Sequence, residues 1–261
     1  MSTISQAALF LKRPAAFEVC VALSQIFGFS MVILTGYVFN TNGLGIVWPT
    51  KKFDAGTTNP NDLKNFHGFF MITGLVFFQG EALISYRLYR HELKILSKFI
   101  HVVFHMLAIG FFATALACVI IQKNNTGTND NPAPHFTSVH SWIGLAVMSV
   151  YLVQFSFGAL NFLNPLMSVS VKAAFMPYHR VIGCVSFIAC NIQAIIGHTE
   201  YIMSAANKGT FYGCYWSLNC TTRLDLIYNF SMVAMICYCL TVLMIVVPTP
   251  WRREKTLDEM K

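Results

Sequence analysis

Four histidines stand at the ends of apolar segments and sort into two pairs. His67 opens the second such segment, His101 the third, His140 the fourth and His179 the fifth. Each segment is close to membrane-spanning length, so successive openings fall on alternate faces. His67 and His140 therefore lie near one face, and His101 and His179 near the other. A zinc ion asks for three or four ligands close together, often with Cys or carboxylate among them. Haem b asks for less: two neutral imidazoles on opposite sides of the porphyrin, with nothing covalent. No C-x-x-C-H occurs, which excludes c-type attachment. One histidine pair at each level thus points to two bis-imidazole haems stacked across a bilayer, and to electron transfer across it.

The elements that must position these side chains are helices. The chain has 261 residues, 55% of them hydrophobic and only 11% charged, where soluble domains carry about 25% charged residues. Six apolar runs stand out, roughly 17–39, 66–88, 99–122, 139–163, 178–196 and 226–247. Each meets the ~20 residues a helix needs to cross the hydrocarbon core. Every backbone polar group must be bonded inside a bilayer, and these runs are apolar all round rather than alternating, so an all-α bundle follows and a β-barrel does not. The first run is too long for a signal-peptide core and no A-x-A-type site follows it, so it reads as a retained helix.

Lys and Arg placement gives the orientation. With both termini inside, the inner segments hold twelve basic residues, among them Arg87, Lys94, Lys98, Lys172 and Arg180, against six in the outer loops. That bias favours cytoplasmic termini and an even number of crossings. The net charge of +7 is largely this belt, so nucleic-acid binding is not needed to explain it. The sequons Asn124-Asn125-Thr126 and Asn219-Cys220-Thr221 both fall in predicted outer loops. So do Cys214 and Cys220, which an oxidising lumen could bridge. The longest polar stretches, about 41–65 and 122–138, read as ordinary outer loops. Residues 1–261 form a single integral-membrane domain. Heptads and short repeats are absent, and the pairs His67-Gly68 and His179-Arg180 are too weak an echo to count as one.

Inside a membrane, polar residues are costly and usually face a pathway, cofactor or partner. Helical rise over His67–Arg87 and His101–Gln122 sets the two histidine levels some 20 Å apart. His105 lies one turn from His101 on the same face, and physics alone leaves open which of the two would ligate iron. His91 sits in a charged inner loop and reads as solvated; His135, in an outer loop, reads as a surface residue. His198, at the outer end of the fifth helix, reads as structural or interfacial. Glu81, near the inner end of the second helix, is expected to pair with a basic residue.

The strings Phe66-His67, Gly80-Glu81-Ala82-Leu83-Ile84-Ser85-Tyr86-Arg87, Lys98-Phe99-Ile100-His101, Ser138-Val139-His140-Ser141-Trp142-Ile143-Gly144 and Met176-Pro177-Tyr178-His179 together resemble the cytochrome b561 family. Its members are six-helix, two-haem, ascorbate-dependent transmembrane reductases. The resemblance implies a four-helix haem core in helices 2–5, about residues 66–198. It implies two non-covalent haem b groups, the non-cytoplasmic one on His67 and His140, the cytoplasmic one on His101 and His179. It favours His101 over His105, because members can lack a histidine at the latter position. Cytoplasmic ascorbate is the implied donor, and Arg87, Lys94, Lys98 and Lys172 are placed to bind that anion, though an orienting basic belt would need such residues in any case. The resemblance also allows a homodimer, without a small-xxx-small face to locate it.

Two departures bear on the acceptor. His67-Gly68 stands where many members have His-Pro, and Gln122-Lys123-Asn124-Asn125 carries no histidine where many have one. The acceptor is left between monodehydroascorbate and a ferric chelate. The membrane is left between the plasma membrane and that of an endosome or secretory vesicle. The implied activity is one-electron transfer from cytoplasmic ascorbate through both haems to that acceptor. A rival reading, a haem-free, histidine-lined metal or proton transporter, requires several intramembrane acids, and Glu81 stands nearly alone.

Overall fold

Apolar runs with no solvent to bond their amides close their own hydrogen bonds, and six of them do so here. The computed structural model describes residues 14–41, 45–46, 62–124, 127–128, 131–132, 134–207 and 223–253. Among these, six helices are long and apolar enough to cross a membrane. Helix α1 is Pro14–Thr41. Helix α2 runs continuously through an α segment Asp62–Met71, a π segment Ile72–Phe78 and a second α segment Gln79–Leu88. Helix α3 is Lys94–Asn124. Helix α4 is Val139–Gly158, ending in a π turn Ala159–Leu163. Helices α5 (Val169–Asn207) and α6 (Arg223–Val246) follow, and a 3₁₀ turn Thr249–Trp251 comes after α6. A two-residue ladder, Gly127–Thr128 against Asn131–Pro132, lies between α3 and α4.

Two helices begin five or more residues before the apolar runs predict. The third was expected from 99 and the fifth from 178, but they start at Lys94 and Val169. Polarity does not end a helix whose first turn is capped or tied back to the preceding loop. Leu93 accepts from the amides of Leu96 and Ser97 at 3.0 and 3.4 Å, and Ser97 Oγ reaches back to Tyr89 O at 3.1 Å. At α5, Ser168 Oγ accepts from the Val171 amide at 3.3 Å, and the helix runs through Pro177 at the cost of one backbone bond. His101 and His179 consequently lie two to three turns inside their helices. His140 stays at a helix start, behind a capping box in which Ser138 and Ser141 exchange side-chain and backbone bonds.

The helices pack as pairs: α1 on α6, α2 on α3, α4 on α5. The largest buried cluster joins α1, α2, α5 and α6 through Met31, Val76, Phe187, Met235 and Tyr238. A second cluster lies within α2–α5 and comprises Leu75, Ala108, Phe112, Met148, Tyr151 and Cys190.

Candidate functional site

The four histidines meet across helices in two pairs. The ring centroids of His67 and His140 are 6.2 Å apart, those of His101 and His179 6.3 Å. In each pair one ring comes from α2 or α3 and the other from α4 or α5. Each ring is also tied at Nδ1. His67 Nδ1 lies 3.1 Å from Ala115 O on α3, and His101 Nδ1 lies 2.7 Å from Ala82 O on α2. A carbonyl can only accept, so both rings carry their proton on Nδ1 and leave Nε2 a lone pair.

These ties also measure depth. Ala115 stands at the level of His67 and lies fourteen residues beyond His101 on the same helix, a rise of about 21 Å. The residues of the second buried cluster fill the space between, with Tyr151 and Phe112 in edge contact at 5.9 Å.

The α4–α5 pair is built from one pattern used twice. His140, Gly144, Gln154 and Gly158 fall at the same intervals as His179, Gly183, Gln193 and Gly197, an H-x3-G-x9-Q-x3-G repeat. This corrects the expectation of a chain without repeats. The copies lie on antiparallel helices, so each histidine meets the glutamine and the final glycine of the other copy. Gln193 Nε2 is 2.8 Å from His140 Nδ1 and donates to the His140 carbonyl at 2.5 Å. Gln154 Nε2 is 2.8 Å from His179 Nδ1 and donates to the His179 carbonyl at 2.7 Å. The glycines make the room: a methyl at Gly158 would meet His179 Cε1 at 3.0 Å, and one at Gly197 would meet His140 Cε1 at 2.6 Å. Sequence reasoning missed both glutamines, although the repeat was there to be read at an offset longer than a helix.

The remaining histidines separate from these pairs. His105 contacts His101 edge-on at 4.5 Å, but its Nδ1 is bonded to Tyr151 Oη at 2.7 Å, facing the space between the levels. His91 accepts from Arg90 Nε at 3.0 Å, exposed, and His135 lies 2.8 Å from the Asn124 side chain. His198 packs on Tyr228 with ring centroids 3.9 Å apart.

Of the four predicted anion-binding residues, three gather. Lys98 Nζ donates to Phe162 O at 2.9 Å and Lys172 Nζ to Asn164 O at 3.0 Å. Both donate to carbonyls at the C-terminal end of α4, where a helix leaves its last carbonyls without partners of its own, and that of Asn164 also accepts from the Met167 amide at 3.4 Å. Lys98 feels the charges of Lys94 and Lys172. Arg87 faces other company, Arg252, Arg180 and Arg90. It is buried, and one guanidinium nitrogen donates to the carbonyl of Val246 at the end of α6. Glu81 departs from expectation as well. It meets Gln25 Nε2 at 3.1 and 3.2 Å and the Tyr238 hydroxyl at 2.9 Å rather than a basic residue, because it faces α1 and α6 instead of the basic end. Cys214, Cys220 and the second sequon lie outside the described residues.

Comparison with known proteins gives these features a family. The family model described as eukaryotic cytochrome b561 matches residues 66–204, a stretch that holds all four paired histidines and both glutamines. A Caenorhabditis elegans homologue of the transmembrane ascorbate-dependent reductase CYB561 is 32% identical, over 93% of this chain and 87% of its own. The human transmembrane ascorbate-dependent reductase CYB561 is 29% identical over 94% and 89%. Transmembrane ascorbate ferrireductase 1 of Arabidopsis thaliana is 33% identical over 58% and 61%. With the family match spanning α2 to α5 and relatives aligned over nearly its whole length, this chain belongs to the cytochrome b561 family.

Proposed function

We propose that this protein is a transmembrane one-electron oxidoreductase that takes electrons from ascorbate at one end of the bundle and delivers them to an acceptor at the other. The observation that carries this reading is the spacing of the two imidazole pairs. A metal–imidazole nitrogen bond is about 2.0–2.1 Å and a five-membered ring's centre lies about 1.2 Å behind its nitrogen, so two rings on one iron have centroids about 6.4–6.6 Å apart on a straight line and slightly less where the rings tilt. The observed 6.2 and 6.3 Å fit. So do the donor set and the glycines that clear space beside two of the rings. His67 with His140 and His101 with His179 would hold two haem b groups. His101 is favoured over His105 because it is the ring that faces His179. Held by these imidazoles, haem would supply a one-electron iron couple.

The protein's own residues do the rest. Lys94, Lys98 and Lys172 present a cationic surface at the His101/His179 end, where an ascorbate anion would be attracted and oriented. Lys98 and Lys172 each spend one N–H on a backbone carbonyl and keep others for a ligand. The positive-inside bias supports a cytoplasmic placement of this end and of both termini. The acceptor at the His67/His140 end is monodehydroascorbate or a ferric chelate.

The test is the reduced-minus-oxidised visible spectrum of the purified protein, with haem quantified per chain and ascorbate as the reductant. Two b-type haems per chain, reduced by ascorbate, are expected. A colourless protein prepared with haem available would overturn the reading and favour a haem-free, histidine-lined transporter.

A further inference from the structure

The two glutamines of the α4–α5 repeat hold a position that the electron-transfer reading leaves unused. Gln193 is not packed as filler: its amide nitrogen touches both polar atoms that His140 offers on that side, Nδ1 and the backbone oxygen. Gln154 does the same to His179. Meanwhile Oε1 of Gln193 is buried with no hydrogen-bond partner among the described residues, a costly state for an amide oxygen in an apolar setting. With Nε2 facing Nδ1, the imidazole proton is left on Nε2, the wrong tautomer for binding iron through that nitrogen. A turn of the amide relieves both problems. If Nε2 stays on the histidine carbonyl while Oε1 comes to Nδ1, the amide donates once and accepts once, and Nε2 of the imidazole is freed.

We propose that Gln154 and Gln193 are positioning residues for one axial imidazole at each level. In the haem-loaded protein each glutamine accepts the Nδ1 proton of the histidine on the neighbouring helix through Oε1 and donates to that histidine's carbonyl through Nε2. The crosswise arrangement means that Gln193, on α5, governs the His140 level, and Gln154, on α4, governs the His179 level. An acceptor on Nδ1–H raises the basicity of the metal-binding nitrogen, and its strength tunes the metal. The partner rings His67 and His101 already have a carbonyl in this role, so each level would pair one ring held by backbone with one held by an amide. This inference rests on the reading of the four histidines as two axial pairs.

The test uses the haem-loaded full chain and four variants, Gln193→Leu, Gln193→Glu, Gln154→Leu and Gln154→Glu, read by low-temperature electron paramagnetic resonance and by redox titration of each haem. Leucine removes the acceptor and glutamate strengthens it. The expected result is opposite shifts in midpoint potential, upward for leucine and downward for glutamate, confined to one haem for the Gln193 variants and to the other for the Gln154 variants. A purely structural role would move both substitutions in the same direction. Same-direction shifts, shifts of the same haem from both positions, or no shift at all overturn the proposal while leaving the haem reading intact. Should a leucine variant lose its haem, the glutamate variant decides alone, and an unmoved potential there overturns it. A wild type that takes up no haem overturns the underlying reading and this proposal together.

Discussion

The carbonyl oxygen of Ala82 takes the Nδ1 proton of His101 at 2.7 Å, and it lies fifteen residues beyond His67. The three corresponding groups, Ala115, Gln154 and Gln193, each lie fourteen residues beyond the histidine of their own helix. The odd residue is absorbed by the π segment Ile72–Phe78, since a π turn takes one residue more than an α turn.

Removal of one residue from that segment should therefore be tolerated. Deleting Thr73 is expected to convert the stretch to ordinary α-helix and keep both haems per chain. Deleting Ile109 from α3, which has no π turn between His101 and Ala115, should cost at least one. Haem quantified per purified chain separates these outcomes, and equal loss from both deletions would refute the register argument.

His101 and His105 should behave differently on truncation. His101→Ala is expected to lower haem content from two to one per chain. His105→Ala and Tyr151→Phe, which break only the 2.7 Å bond between those side chains, should retain both. The same haem assay decides, and loss of a haem from His105→Ala but not His101→Ala would reverse the assignment.

Lys98→Ala and Lys172→Ala should weaken ascorbate capture without touching the haem sites. Each is expected to cost about 1 kcal/mol of anion binding, near a fivefold rise in KM, with kcat and haem content close to wild type. Added salt should narrow the difference. Steady-state reduction at varied ascorbate and ionic strength reads both effects. A fall in kcat at unchanged KM would place these lysines elsewhere in the cycle.

Tyr238→Phe should destabilise the fold rather than the redox chemistry. The Tyr238 hydroxyl lies 2.9 Å from Glu81 and 3.0 Å from the Phe77 carbonyl, linking α6 to α2. Its loss leaves a buried carboxyl short of a partner, at about 1–2 kcal/mol. A lowered melting temperature with unchanged haem potentials is expected, and Glu81→Gln with Tyr238→Phe in a double-mutant cycle would measure the coupling.

What could be read in advance divides by physical cause. The histidine pairing and the ~20 Å interval followed from span length and helical rise, quantities that depend on residue count and little else. The starts of α3 and α5 did not, because Ser97 ties the first turn of α3 back to Tyr89 and Ser168 caps that of α5, polar turns that hydropathy alone assigns to loops. The π segment left no mark, since no residue type demands one. Lys98 and Lys172 were recognised as cations, but their carbonyl partners at Phe162 and Asn164 exist only once α4 ends in a π turn beside them. Glu81 was expected to pair with a base because charge was considered without direction. It faces α1 and α6, where Gln25 and Tyr238 are what is on offer.

The fourteen-residue interval turns the gap between the two histidine levels into a counted quantity. Side-chain substitutions in the midplane cluster, at Leu75, Phe112, Tyr151 or Cys190, can alter the medium an electron crosses but not the length of the crossing. Changing that length would take matched insertions in four helices at once, each rotating its own histidine off the shared axis by about 100° per residue. The bundle thus behaves as a ruler whose graduations are residues: tunable in what fills the gap, and resistant to drift in the gap itself.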